Sequence, residues 1–243
     1  MAKSTWTISG RMMVEEKEVS GVLTSRPLAG VEVEVSASNF GVYDSWGTVR
    51  TNSDGYFTLR NEKDGSKRKI KVKVRFSDSE LEVNAGLLAN PGDFLSPALE
   101  VFEHSHEVEG PSINIGTRTF KTGAGGELGV LDHIRRAIAW YACKTLITTL
   151  KAKDSYFAFK GKIKVIYPAK VVSGIPYANG VTRCAYIQSG WWDIQMVLHE
   201  VMHLWNYDHN YGTANWFGAV FCPVDLNTHG QAERRPIATH EGF

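Results

Sequence analysis

The sequence predicts two domains, an all-β sandwich over residues 1–120 followed by an α+β domain over residues 129–243. Three observations support this division. Apolar residues recur at every second position in the first half, and at every third or fourth position from Leu131 onward. Between the two halves lies "KTGAGGELG", which is rich in glycine, so residues 121–128 are predicted to be a linker.

The strands of the first domain are predicted from alternation. In "VEVEVSAS" valines alternate with glutamates, and in "KIKVKVRF" apolar residues alternate with lysine and arginine. Such a pattern is typical of half-buried antiparallel strands. "TNSDGYFTLR" places a turn at Asp54 and Gly55 before another strand, and "PSINIGTRTF" at residues 111–120 supplies a closing strand. Together these segments predict a β-sandwich.

A family resemblance rests on the same segments. The order "ISGRMMV", "RPLAGVEVEVSA", "TNSDGYFTL", a strongly alternating strand and "INIGTRTF" resembles the transthyretin-like and carboxypeptidase-regulatory-like sandwiches. The resemblance covers about the first half of the chain. It implies a sandwich that serves as an accessory or binding module, and says little about chemistry.

The second domain is predicted from a change of period. Apolar positions from Leu131 to Leu150 recur at three and four, which predicts a long amphipathic helix. Residues 161–168 and 182–188 read as strands, and a second helix is predicted from about Trp192 to Tyr207. The order of helix, strands and helix predicts an α+β arrangement.

Composition excludes several classes of partner. The net charge is +1, from 27 basic and 26 acidic side chains, so neither nucleic acid nor an anionic membrane is an expected partner. No run of about 18 apolar residues occurs, and the amino terminus lacks the apolar region of a Sec signal peptide. The protein is therefore expected to be soluble, and either cytoplasmic or exported by another route. Its three cysteines are an odd number without C-x-x-C spacing, so they predict neither a disulfide framework nor a thiolate metal site.

The stretch "LHEVMHLWNYDHN" carries the candidate chemistry. His199, Glu200 and His203 stand in the order HExxH on a predicted helix. Residues four apart lie one above the other on a helix, so the two imidazoles can bind one tetrahedral Zn²⁺. Glu200 can reach a water molecule at the metal without binding the metal itself, which suits a general base. The pattern resembles the zincin metallopeptidases.

A helical projection of this segment separates two faces. His199 and His203 lie on one face, and Glu200 lies at their flank. The opposite, apolar face is predicted to hold Ile194, Leu198, Val201 and Trp205.

Two residues compete as the third metal ligand. His209 completes "HExxHxxNxxH", which resembles the metzincin motif, but Asn206 stands where that family has the glycine of a sharp turn. Glu241, in "HEGF", resembles the start of the E-G-x-A helix of gluzincins. Glu241 is favoured, and the resemblance then suggests that the chain is a piece of a longer protein, truncated at the C-terminus of its zincin-like domain.

The resemblance implies further roles near the site. Tyr211 and His229 are candidates to stabilise the transition state, since zincins use a tyrosine or histidine in that way. The strand at residues 182–188 matches the edge strand along which zincins align an extended peptide.

The predicted function is that of a zinc metallopeptidase acting on a peptide or protein substrate. The alternative is a non-catalytic, zinc-containing binding module with a degenerate site, whose sandwich engages a carrier or a component of a secretion machine. A sandwich joined to a zincin without a Sec signal resembles bacterial effectors that contractile secretion machines deliver.

Overall fold

A computed structural model describes nine segments of the chain. They comprise residues 3–17, 21–39, 42–64, 67–84, 106–109, 112–121, 131–153, 159–169 and 175–210. Backbone contacts divide the chain into two compact units. The first unit contains Met1–Asp78 and Ala98–Tyr141, and the second contains Ser79–Pro97 and Ala142–Phe243.

Twelve strands and two α-helices make up the regular structure of the described residues. In chain order they are β1 (Lys3–Lys17), β2 (Leu23–Pro27), β3 (Glu32–Asn39), β4 (Val42–Arg50), β5 (Tyr56–Asp64), β6 (Lys67–Arg75), β7 (Leu81–Asn84), β8 (His106–Glu109), β9 (Ser112–Phe120), α1 (Leu131–Lys153), β10 (Ile163–Ile166), β11 (Tyr177–Asn179), β12 (Cys184–Tyr186) and α2 (Ile194–Asn210).

The first unit contains two four-stranded sheets. In one sheet β1 pairs antiparallel with β2 and β5 and parallel with β9. The other sheet has the order β4-β3-β6-β8 and is antiparallel throughout. Trp6 of β1 meets Trp46 of β4 with ring centroids 5.4 Å apart, so side chains of the two sheets share a core. This part agrees with the predicted all-β first half.

The predicted alternation and turn are both present in this unit. Val33 and Val35 of β3 are fully buried, while Glu32 and Glu34, which alternate with them, are half-buried and pair with Arg75. Gly55 occupies the predicted turn with φ +80°, and a Cβ there would overlap the carbonyl oxygen of Met12. Glycine is therefore required at position 55 by both its φ angle and the close approach of β1.

The second unit contains a mixed four-stranded sheet with the order β11-β12-β10-β7. β10 pairs parallel with both β12 and β7, and β11 pairs antiparallel with β12. α2 contacts the β11, β12 and β10 strands of this sheet. β7 belongs to this unit although it precedes the predicted linker at 121–128; of that linker only Lys121 lies within the described residues.

The predicted fold class, with its α+β zincin-like second domain, is wrong. Most of the described residues lie in strands, which form three four-stranded sheets. The described residues contain two α-helices. The two helices lie where the apolar period predicted them. The strands that the sequence did not predict are β7 and β11, which have four and three residues, too few to show a period.

No helix in the described segments is long and apolar enough to cross a membrane. This agrees with the absence of a long apolar run in the sequence.

Candidate metal centre

The HExxH motif lies on α2, which begins with a side-chain cap. The Oδ1 atom of Asp193 accepts a hydrogen bond of 2.7 Å from the backbone N–H of Gln195. The backbone oxygen of Asp193 accepts a hydrogen bond of 3.1 Å from Val197. Aspartate at this position satisfies an N–H group that has no partner within the helix, which defines where α2 starts.

The buried face of α2 differs from the predicted one. Val201 is buried as expected, but Ile194, Leu198 and Trp205 are only half-buried. The residues buried beside Val201 are Val197, Glu200, Met202, Leu204 and Asp208. Glu200 therefore lies on the buried side of the helix. The helical projection had predicted it at the flank of the histidine face.

His199 and His203 form a close pair one turn apart. Their Nε2 atoms are 2.9 Å apart, and their ring centroids are 4.5 Å apart with the rings nearly perpendicular. Both side chains are half-buried. This distance suits a hydrogen bond between the two rings, in which the tautomer of each ring decides which nitrogen donates.

The pair is close to the geometry that Zn²⁺ requires. With Zn–N distances of about 2.0–2.1 Å and tetrahedral angles, two ligating nitrogens lie about 3.3 Å apart. The observed separation of 2.9 Å between the Nε2 atoms is about 0.4 Å shorter than this value. One ligand atom from each of His199, Glu200 and His203 lies within 4.8 Å of the others, so the three side chains surround one small volume.

Glu200 has an unusual electrostatic position. Its side chain is 0% exposed, and among the described residues neither carboxylate oxygen has a hydrogen-bond partner of normal geometry. Burial raises the pKa of Glu200 to about 8, and the backbone of Ala178 on β11 opposes that rise. A buried carboxylate is costly unless a cation or hydrogen bonds compensate it. A divalent cation at the adjacent histidine pair would supply that compensation, so the donor set fits a metal.

The remaining predicted site residues lie at or beyond the end of the described chain. Glu241, Tyr211 and His229 are outside the described residues. His209 is within α2, which stays helical through Asn206 and ends at Asn210. At 1.5 Å of rise per residue, six residues of helix separate the backbones of His203 and His209 by about 9 Å. The described backbone therefore does not make the sharp turn at Asn206 that a ligating His209 needs.

The strand expected to receive the peptide is also corrected. β12, within the predicted segment 182–188, lies between β11 and β10 and so is an interior strand. Of the described strands, the one at the edge of the sheet beside α2 is β11, and the backbone of its Ala178 approaches Glu200. Sequence reasoning missed β11 because its three residues follow a proline and carry no alternation.

Sequence reasoning also missed two contacts that hold the β11–β12 hairpin to α2. Asp208 accepts two hydrogen bonds from the guanidinium of Arg183, and the ring of Tyr207 lies against Gly180. A role for Asp208 could be anticipated from its place after the motif, but its partner could not, because Arg183 lies 25 residues earlier.

Neither a protein-family model nor a curated protein matches the chain. Solved structures that match include a 9R-lipoxygenase from Cyanothece PCC8801, which is 15% identical with a TM-score of 0.27, and an (S)-allantoin synthase, which is 11% identical with a TM-score of 0.26. The matches cover 61% and 47% of this chain, and the chain spans 23% and 42% of those structures. Likeness at this level carries no argument about function, so the resemblances drawn from the motifs stay predictions.

Proposed function

We propose that the chain is a zinc-dependent hydrolase of peptide bonds, with His199 and His203 as metal ligands and Glu200 as general base. The observation that carries the proposal is the buried Glu200 carboxylate, which lies beside a pair of imidazoles and has no hydrogen-bond partner of normal geometry among the described residues. A purely structural glutamate at such a position would be expected to have a partner, because an uncompensated buried carboxylate destabilises the fold.

The roles of the residues follow from their positions on α2. His199 and His203 bind through the Nε2 atoms that face one another. Zinc, when bound, supplies a Lewis acid that lowers the pKa of a water molecule to about 7. Glu200 would accept a proton at a carboxylate oxygen from the water molecule whose oxygen bonds to the peptide carbonyl carbon, and would deliver that proton to the amine released when the C–N bond breaks.

A peptide substrate is favoured by the strand beside the site. Among the described strands β11 lies at the edge of its sheet, and an extended peptide can pair with such an edge through main-chain hydrogen bonds. Because the backbone of Ala178 approaches Glu200, a peptide along β11 would pass near the proposed base.

Glu241 is the proposed third protein ligand. The alternative, His209, is disfavoured because α2 remains helical past Asn206, which separates the backbones of His203 and His209. Three protein ligands and one water are the usual set of a catalytic zinc site.

Hydrolysis of an unfolded protein substrate in the presence of zinc tests the proposal. We expect one zinc per chain and turnover that a chelator abolishes and zinc restores, with both properties lost in His199→Ala. The matched control is Gln195→Ala, which changes an exposed residue of the same helix. Stoichiometric zinc without turnover on any unfolded substrate would instead support the alternative of a non-catalytic binding module.

A further inference from the structure

The hairpin of β11 and β12 is tied to the last turns of α2 by an ion pair that the proposed reaction does not use. Arg183 donates from Nη1 to Oδ1 of Asp208 at 2.7 Å and from Nη2 to Oδ2 at 2.9 Å. The Asp208 side chain is 2% exposed and that of Arg183 is 23% exposed. Two parallel charge-assisted bonds fix the orientation of both planar groups as well as their distance.

The same carboxylate also holds the chain that leads into β10. The backbone N–H of Lys160 donates to Oδ2 of Asp208 at 2.9 Å, and Nη2 of Arg183 donates to the carbonyl of Gly161 at 3.0 Å. Arg183 takes φ +57°, a left-handed value that is uncommon for a residue with a side chain. Such a conformation persists where the surroundings fix it, and here the bonds of its guanidinium to Asp208 and Gly161 do so.

A second contact holds the other end of the hairpin turn. The ring of Tyr207 lies on the backbone of Gly180, so closely that a Cβ at position 180 would overlap the ring atoms nearest the helix. Tyr207 lies one turn after His203 on α2. The turn between β11 and β12 is thus held at both ends, at Gly180 and at Arg183, by consecutive residues of one helix.

These contacts fix the position of β11 relative to Glu200. β11 ends one residue before Gly180, and Ala178 on it pairs with Ala185 of β12. Ala178 is also the residue whose backbone approaches the Glu200 carboxylate. Holding the turn against α2 therefore fixes how far the edge of β11 lies from Glu200.

We propose that the Arg183–Asp208 pair and the Tyr207–Gly180 contact together act as a positioning clamp, which holds the edge strand β11 beside Glu200 so that an extended peptide is presented to it. The consequence for substrate rests on the proposed function; the mechanical role of the clamp does not. The histidines lie on α2 itself, so they stay together when the hairpin is released. The clamp thus acts on the presentation of substrate and leaves metal binding intact.

The test uses two variants that break the clamp at different points. Asp208→Asn removes the charge that Arg183 binds while keeping the shape of the side chain, and Gly180→Ala displaces the Tyr207 ring without changing any charge. Arg75→Gln is the matched control, because it removes an ion pair with Glu34, at 2.8 Å, in the first unit.

Three quantities are measured on each full-length variant: amide hydrogen exchange of peptides covering residues 177–183, affinity for Co²⁺, and KM and kcat with an unfolded protein substrate. In both clamp variants we expect exchange of the hairpin amides to rise at least tenfold, Co²⁺ affinity to stay within threefold, and KM to rise at least tenfold with kcat within threefold. The Arg75→Gln control should change none of the three.

Two results would overturn the clamp. Unchanged hairpin exchange in both variants would show that the contacts hold nothing in place. Loss of Co²⁺ affinity together with rapid exchange in α2 and β10 would show a general structural role. If Asp208→Asn does not fold, Gly180→Ala decides. Should the wild-type chain show no turnover, the proposed function fails, while exchange and Co²⁺ affinity still decide whether the clamp exists.

Discussion

Replacing Glu200 with glutamine is expected to remove a pH-dependent loss of folding stability from the metal-free chain. The Glu200 side chain is fully buried, and burial raises its pKa from 4.5 to about 8. The folded chain therefore holds a proton that the unfolded chain releases over this range of pH. The contribution of Glu200 to the free energy of unfolding is greatest below pH 4.5 and decreases as the pH rises toward 8. Above pH 8 this contribution no longer changes with pH.

The size of the effect follows from the same two values. At about 1.36 kcal/mol per pH unit, the free energy of unfolding of the wild-type chain falls by about 4 kcal/mol between pH 4.5 and pH 8 because of Glu200 alone. Glutamine has no charge to lose, so the Glu200→Gln chain lacks this component.

Urea unfolding in excess chelator, across that range of pH, measures the effect. The free energies of the two chains should diverge in favour of Glu200→Gln as the pH rises, by about 4 kcal/mol at the upper end relative to the lower. Parallel curves would refute the reasoning, because they would mean that the Glu200 carboxylate is solvated or has a partner in the folded chain.

Other perturbations separate the metal centre from the rest of the fold. Saturating zinc should remove most of the pH dependence that Glu200 gives the wild-type chain, since an adjacent divalent cation favours the ionised carboxylate; an unchanged dependence in urea unfolding would contradict this. Glu241→Ala should weaken zinc binding about 10- to 100-fold and His209→Ala by less than threefold, as measured with a competing chelating dye; the reverse order would make His209 the ligand. Gly55→Ala should cost about 2–3 kcal/mol in thermal unfolding, because of its positive φ and the Met12 carbonyl, whereas Gly116→Ala, where a Cβ has open space, should cost only about 1 kcal/mol; equal costs would exclude the overlap as a cause.

Local periodicity predicted the parts of the fold whose signal is long. The valines of β3 alternate over several residues, and the apolar residues of α1 and α2 recur over several helical turns. Each of these segments is therefore long enough to show its secondary structure from its own sequence. β7 illustrates what could not be predicted. It has four residues and pairs with β10, about eighty residues later, so its place depends on a long-range contact that no local pattern encodes.

The candidate site was predictable in its residue types and not in its environment. The HExxH spacing alone brings His199 and His203 together, because one helical turn separates them. The burial of Glu200 could not be predicted from the helix by itself. It depends on which face β11 covers, and that is set by contacts of Gly180 and Arg183 with the last turns of α2.

The most direct test of the account measures zinc content and turnover on one preparation of Glu200→Gln. Because Glu200 is proposed to move a proton and not to bind the metal, this variant should still hold one zinc per chain at saturating zinc. Its kcat should fall by about 10²- to 10⁴-fold, the range that a positioned general base contributes. Full zinc occupancy with near-normal turnover would contradict the central claim, and so would loss of zinc together with activity.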